Sequence, residues 1–156
     1  MKNTYHYDFP TGRVYIAESD GAITDVAFKP VEGAAEKETP LIRQAAEMLR
    51  EYFSGERIGF EGLPLRTAGT CFQEKAWRAL LDIPYGQTRS YKEQAQAVGN
   101  IKACRAVGAA NGKNPISIII PCHRVVGADK SLTGYGGGVE IKKALLELER
   151  RFSGGS

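Results

Sequence analysis

A thiol, an imidazole and a guanidinium stand side by side at Cys122-His123-Arg124, inside the stretch Pro121-Cys122-His123-Arg124-Val125-Val126. A thiol is a strong nucleophile only as the thiolate, and nearby His or Arg favours that form. The apolar run Ile116-Ser117-Ile118-Ile119-Ile120 precedes the motif and predicts a buried-type strand that ends at the proline. Cys122 then sits at a strand end beside cationic neighbours, where an activated nucleophile is placed. A cysteine met alone is more often a small buried hydrophobe. Here the whole hexapeptide and its flanks favour the nucleophile.

The bulk of the chain suits such a role. Its 156 residues fit one domain or two small ones, enough to bury a core without metals or disulfides. Hydrophobic and charged fractions of 42% and 25% are those of an ordinary globular protein. No apolar run approaches the ~20 residues that span a bilayer, and Met1 to Asp8 contains no apolar core segment, so neither a membrane span nor a signal peptide is expected. Three cysteines without a CxxC argue against a disulfide framework and for a reducing, cytoplasmic setting that keeps a thiol free. Charge is uneven: residues 1–69 carry a net −3 and residues 70–156 a net +6. A basic half that also holds the candidate nucleophile points to a polyanionic partner such as nucleic acid.

The elements that must position these groups are legible in part. Alternating runs at 5–9, 12–17 and 22–28, separated by Pro10-Thr11-Gly12 and Ser19-Asp20-Gly21, predict a small antiparallel meander. Residues 30–39 are polar and predict a loop. Leu41, Ala45, Met48, Leu49 and Tyr52 have helical spacing, with Pro40 in the first turn and Gly55 as the stop. Residues 59–69 have no period and predict a linker. Thr70 and Gln73 form a capping box for a helix to about Asp82, with Ala76, Trp77, Leu80 and Leu81 inward; Ser90 and Glu93 form a second, for a short helix ended by Gly99. A further helix over 102–111 follows a tight turn, giving helix-turn-helix form. The small residues Ala103, Ala106, Gly108, Ala109 and Ala110, beside Lys102 and Arg105, suit either tight helix packing or close approach to a DNA minor groove about 6 Å wide. The glycines around Tyr135 predict a loop whose backbone approaches something closely. Residues 139–151 predict a last helix with Ile141, Ala144, Leu145 and Leu148 inward, and 153–156 a disordered tail.

Residues 70–150 resemble the C-terminal domain of the O6-alkylguanine-DNA alkyltransferases, also called methylated-DNA–protein-cysteine methyltransferases. The resemblance lies in Phe72-Gln73 with Trp77, Ile83-Pro84-Tyr85-Gly86, Ser90-Tyr91, Arg105-Ala106-Val107-Gly108, Asn114-Pro115, Pro121-Cys122-His123-Arg124-Val125, Gly134-Tyr135 with Gly137-Gly138, and Leu145-Leu146 with Glu149. Residues 1–69 resemble the family's variable N-terminal domain in layout only. The implied fold is α+β: a small antiparallel sheet with one helix over 1–69, then a mainly helical domain over 70–152 with a winged-helix-like helix-turn-helix and an active-site strand and loop.

The resemblance implies direct DNA repair, a single-turnover transfer of the alkyl group from O6-alkylguanine, with O4-alkylthymine as a second candidate substrate, to the protein's own cysteine. Cys122 matches the acceptor, His123 the histidine that draws the thiol proton through a bridging water, and Glu149 the carboxylate that orients it. Glu147, close by on the same helix, is the alternative carboxylate. Tyr91 matches the hydroxyl at N3 of the base, Gly136 the backbone donor to O6, and Cys122 and Val125 the carbonyls that accept from the exocyclic amine; Tyr135 belongs to the same pocket. The base must be flipped out of the duplex. Arg105 matches the residue that fills the vacated stack, and Asn114 the side chain that ties the helix-turn-helix to the active-site strand. Lys102, Ala103, Ala106, Tyr91 and Arg124 complete the implied minor-groove contact. No cofactor and no metal are implied: His6 stands alone where some members bind zinc in the N-terminal domain. The implied partner is double-stranded DNA, met by a monomer.

Cys71 stands where the family commonly has proline, and Gly136 where some members have serine. A non-catalytic lesion binder would lack the acceptor, and Cys122 is present. A cysteine hydrolase would need adjacent Cys and His to share a direct hydrogen bond, and a plain helix-turn-helix regulator leaves the 121–126 motif without a purpose.

Overall fold

The structure is a computed structural model that describes residues 1–129, 131–132, 135 and 137–153. The chain divides into two compact units, Met1–Thr67 with Pro115–Ile119, and Ala68–Asn114 with Ile120–Ser156. The sequence placed one boundary at 69/70; the first unit in fact also takes back five residues from just before the cysteine motif.

In the first unit, β1 (Asn3–Phe9), β2 (Gly12–Ser19) and β3 (Ala22–Ala27) form the expected antiparallel meander. Asp20 and Gly21 link β2 to β3 with φ of 51° and 80°, the paired left-handed geometry that matches hairpin twist. A fourth strand, β4 (Ala35–Glu36), pairs parallel with β1 and gives the order β3-β2-β1-β4. It falls in the stretch read as loop, because two residues are too few to show alternation. Helix α1 (Pro40–Phe53) is capped by Thr39, whose side chain accepts from the Ile42 amide at 3.2 Å. Its Ile42, Ala45, Leu49 and Tyr52 are buried, as are Val14, Ile16, Ile23 and Val26 of the sheet.

The strand expected over 116–120 does not form. Ile116 makes a single parallel bridge to Val26, and the chain then folds into two tight turns. Ile119 N donates to Ser117 O at 2.8 Å, and Cys122 N to Ile120 O at 2.8 Å. The centre of the first turn is Ile118 at φ 71°, an outlier for a β-branched side chain. The centre of the second is Pro121 at φ −83°, ψ 64°, the inverse γ-turn geometry that proline's fixed φ suits. Burial of Ile116, Ile118, Ile119 and Ile120, none more than 5% exposed, holds the strained segment in place. An apolar run looks the same in sequence whether it is extended or coiled.

The second unit contains α2 (Cys71–Leu81), β5 (Arg89–Ser90), α3 (Tyr91–Ala97), α4 (Cys104–Gly112), one 3₁₀ turn (Cys122–Arg124), β6 (Val125–Val126) and α5 (Val139–Phe152). Both capping boxes form, at Thr70/Gln73 and Ser90/Glu93. Leu81, expected inward, is 49% exposed. The helix expected from 102 begins at Cys104, and Lys102 and Ala103 precede it. Buried polar bonds register the helices: Trp77 Nε1 donates to Ala110 O at 2.8 Å, and Gln94 and Asn111 exchange two amide hydrogen bonds of 2.8 Å. Around them Ala76, Ala95, Ala103, Val107 and Ala110 pack as a cluster of small residues. Strands β5 and β6 pair in parallel, Arg89 with Val125. Helix α5 buries Lys142, Leu145 and Glu149 rather than an all-apolar stripe; Ala144 is exposed.

Candidate active site

The Pro121 turn leads directly into the 3₁₀ turn that holds Cys122, His123 and Arg124, all buried. Cys122 is 6% exposed and, like Cys71 and Cys104, in no disulfide. Burial pushes its thiol above the ordinary range, and the Asn114 side chain and the Lys142 ammonium pull it only part of the way back. The expected help from His123 and Arg124 is absent, because both direct their side chains to Glu149. Cys122 is therefore a protonated thiol at rest. Asn114 also donates from Nδ2 to Ile120 O at 2.8 Å, so one side chain braces the turn before the cysteine and steadies its sulfur.

His123 is fully buried and its Nε2 lies 2.6 Å from Glu149 Oε2. Glu149, 1% exposed, is the carboxylate that meets His123; Glu147 is exposed. Arg124 grips the same carboxylate side-on, Nε to Oε1 at 2.8 Å and Nη2 to Oε2 at 3.0 Å. Its third donor, Nη1, goes to Ile83 O at 2.7 Å, and its carbon lies 5.6 Å from the centre of the Tyr85 ring. The Gly86 amide adds a fourth, longer bond to Glu149 Oε1 at 3.3 Å. Burial alone would raise the Glu149 carboxyl, but His123 and Arg124 outweigh it and hold it well below the usual range. Burial depresses His123, against the pull of Glu149, and Arg124 and Lys142 push it lower still. The imidazole is therefore neutral. An anionic carboxylate at Nε2 makes that nitrogen the N–H, which leaves Nδ1 as an acceptor. Nδ1 is buried and has no hydrogen-bond partner among the described residues.

Arg124, expected at the DNA, is thus a buried partner of Glu149; a guanidinium with its donors committed inside the fold cannot reach a phosphate. Ala103 is likewise corrected: it is 8% exposed and packs in the small-residue cluster. Lys102, Arg105 and Ala106 are exposed on and just before α4. Tyr91 opens α3 with its ring half-buried, and a Cβ added to Gly108 of α4 would lie 3.7 Å from it. Val125 is buried on β6, and Tyr135 is 8% exposed. The Cys122 carbonyl accepts from the Val125 amide and keeps a second lone pair. Gly136 lies outside the described residues.

One side chain near Cys122 escaped the sequence reading. Lys142 is 1% exposed, with its ammonium 5.9 Å from the centre of the Tyr91 ring and coupled electrostatically to Cys122. Its seven-residue spacing from Glu149 on one helix was the available signal. Gly86, at φ 81°, has no room for a side chain: a Cβ would lie 2.7 Å from that of Ser153. No group of three potential metal-ligating side chains gathers among the described residues, and no helix there is long and apolar enough to cross a membrane.

The second unit thus sets a buried thiol next in sequence to a buried histidine–carboxylate pair, after two short helices joined by a tight turn. Residues 71–151 match the DNA-binding domain of 6-O-methylguanine DNA methyltransferases, and residues 3–67 match their ribonuclease-like domain. The chain is 47% identical over 151 residues to the constitutive methylated-DNA–protein-cysteine methyltransferase of Bacillus subtilis, covering 90% of this chain and 91% of that one. It is 43% identical to the Haemophilus influenzae methylated-DNA–protein-cysteine methyltransferase, covering 93% and 84%. Among solved structures it is similar to the Mycobacterium tuberculosis O6-methylguanine methyltransferase, with a TM-score of 0.88, 43% identity and coverage of 97% and 94%. An M. tuberculosis OGT in complex with DNA superposes with a TM-score of 0.89, again at 43% identity and covering 96% and 94%. The chain belongs to the methylated-DNA–protein-cysteine methyltransferase family.

Proposed function

We propose that this protein repairs DNA directly, moving the alkyl group of O6-alkylguanine onto Cys122 once per molecule. The observation that carries the reading is the buried His123–Glu149 pair, with Nδ1 left as an acceptor in the residue next to a protonated thiol. A water between Cys122 Sγ and Nδ1 passes the thiol proton to His123. The sulfur then attacks the alkyl carbon: the S–C bond forms as the C–O6 bond breaks, and the electron pair moves into the guanine. The Tyr91 hydroxyl supplies a proton at N3 of the leaving base, and the adjacent Lys142 ammonium favours the negative charge that passes through this site. The carbonyls of Cys122 and Val125 accept from the exocyclic amine, Tyr135 walls the pocket, and the Gly136 amide serves O6. The product thioether is stable, so the protein does not turn over.

The base must leave the stack, which costs a few kcal/mol and less at a damaged pair. Lys102, Arg105 and Ala106 present an exposed face to the minor groove, and Arg105 occupies the vacated place. The protein acts as a monomer on duplex DNA, in a cytoplasm whose reducing poise keeps Cys122 free.

Intact-mass analysis after incubation with O6-methylguanine duplex is expected to show one added CH₂ unit per chain, on Cys122. Cys122→Ser abolishes transfer yet keeps lesion binding, because flipping does not use the sulfur. Repeated turnovers, or an adduct on Cys71 or Cys104 instead, would sink the reading.

A further inference from the structure

Arg124 is absorbed by neither the DNA surface nor the nucleophile, yet its guanidinium is committed inside the fold. It donates twice to Glu149 and once to Ile83 O, and lies against the Tyr85 ring. Each alternative for that site has a definite proton count. With Arg124 present, Glu149 is an anion paired to a cation, and the pair of buried charges has no net sign. With Arg124 replaced by an apolar side chain, the His123–Glu149 pair would carry a net negative charge in a site that is at most 1% exposed. A buried charge without a counterion takes up a proton instead. The proton has two places to go. On the imidazole, it occupies Nδ1 directly. On the carboxyl, the new O–H donates to Nε2, and the neutral ring must then carry its hydrogen on Nδ1. Both outcomes leave Nδ1 a donor, unable to accept a proton from a thiol.

We infer that Arg124 is a positioning residue whose charge keeps one ring proton on His123, at Nε2, so that Nδ1 stays a proton acceptor at neutral pH. The inference rests on the alkyl-transfer reading for its purpose, although its proton count stands independently. The other groups that face the pair do not replace Arg124. The Tyr85 phenol, from the loop between α2 and β5, is neutral and its pKa is raised by burial and by Glu149. The Gly86 amide carries no charge. On α5, the Lys142 ammonium also lowers His123, but less than Arg124 does, and the side chains that hold the Glu149 carboxylate are His123 and Arg124; Lys142 also interacts with Cys122, where it balances the thiolate that forms during reaction.

The test is ¹⁵N NMR of the imidazoles in the full chain, together with the pH dependence of transfer to Cys122. There are two histidines, and His6 serves as the internal reference. In the wild type His123 shows an unprotonated Nδ1 between pH 6 and 8. Arg124→Met is expected to show a protonated Nδ1 in that range and to move the acid limb of the rate profile up by about 1–3 pH units. Rate then recovers as pH is raised. Arg124→Lys keeps the charge and is expected to keep Nδ1 unprotonated. Arg124→Met/Glu149→Gln removes both charges and with them the reason for the extra proton, so its acid limb is expected to return toward that of the wild type. An unprotonated Nδ1 and an unmoved acid limb in Arg124→Met would reduce Arg124 to packing and overturn the inference. Should Arg124→Met fail to fold, Arg124→Gln, which keeps a donor to Glu149 without the charge, decides: an unprotonated Nδ1 and an unmoved acid limb there overturn it. The NMR arm needs no alkyl transfer, so a wild type that never modifies Cys122 defeats the functional reading while leaving the proton count to be judged separately.

Discussion

Cys122 is protonated until a base acts, and His123 is neutral because burial outweighs the pull of Glu149. Both facts have consequences for pH. In the unfolded chain His123 titrates near its ordinary 6.5 and Glu149 near 4.5. Folding lowers both, so the unfolded state binds more protons as pH falls. Stability is then fully present above pH 6.5, declines first through His123, and declines further below 4.5 through Glu149. Urea midpoints measured from pH 8 to about 3 are expected to fall in two stages, the lower one through Glu149, and His123→Gln should remove the upper one. A midpoint flat to pH 5 in the wild type contradicts a neutral buried His123. For chemistry, Glu149→Gln leaves the ring without its anion and is expected to slow transfer by about 10²–10⁴-fold. Glu147→Gln, on the exposed face, should leave single-turnover rates unchanged.

Helix α4 is shaped by what it must approach. Gly108 lies within it without a left-handed φ, beside the Tyr91 ring. A single added Cβ makes ordinary contact at 3.7 Å, and alanine is better than glycine in a helix interior by about 1 kcal/mol. Gly108→Ala is therefore expected to raise the urea midpoint with little change in transfer. Gly108→Leu must displace Tyr91 and should cut the rate of transfer even from free alkylated base, which needs no DNA contact. Equal effects of the two variants would show that the glycine serves something other than clearance for Tyr91. The neighbouring Gln94–Asn111 exchange has the same logic of fit: it sets α3 against α4 through paired amides that hydrophobic side chains could not register.

Charge acts at the level of the whole chain, whose basic part is residues 70–156. Binding to duplex DNA is expected to weaken linearly on a log–log salt plot, with each phosphate contact adding about 0.9 to the slope. Lys102→Ala should lower that slope by about one. Arg105→Ala should impair repair of duplex DNA far more than reaction with free O6-methylguanine, since only the duplex must have its base extruded; equal losses on both substrates would remove the extrusion role. Arg124→Ala should leave the slope unchanged, because its guanidinium is buried on Glu149.

Motif chemistry and local structure were determined by the sequence itself. The two capping boxes, the meander turns and the Cys122-His123 pair depend on residues near one another in the chain, and their physics is local. The pairing of His123 with Glu149, 26 residues apart, came from family resemblance rather than from spacing. Only the tertiary structure decided where long side chains spend their charge. Arg124 looks like a DNA contact beside a nucleophile, but burial leaves its guanidinium no partner as good as Glu149. Lys142 looks like a solvent-facing helix residue, yet α5 turns it toward Cys122. The apolar run 116–120 reads as a strand, but a bridge at Ile116 and two tight turns consume it. Hydrophobicity specifies that such a segment is buried; its direction is set by the hydrogen bonds that distant residues offer.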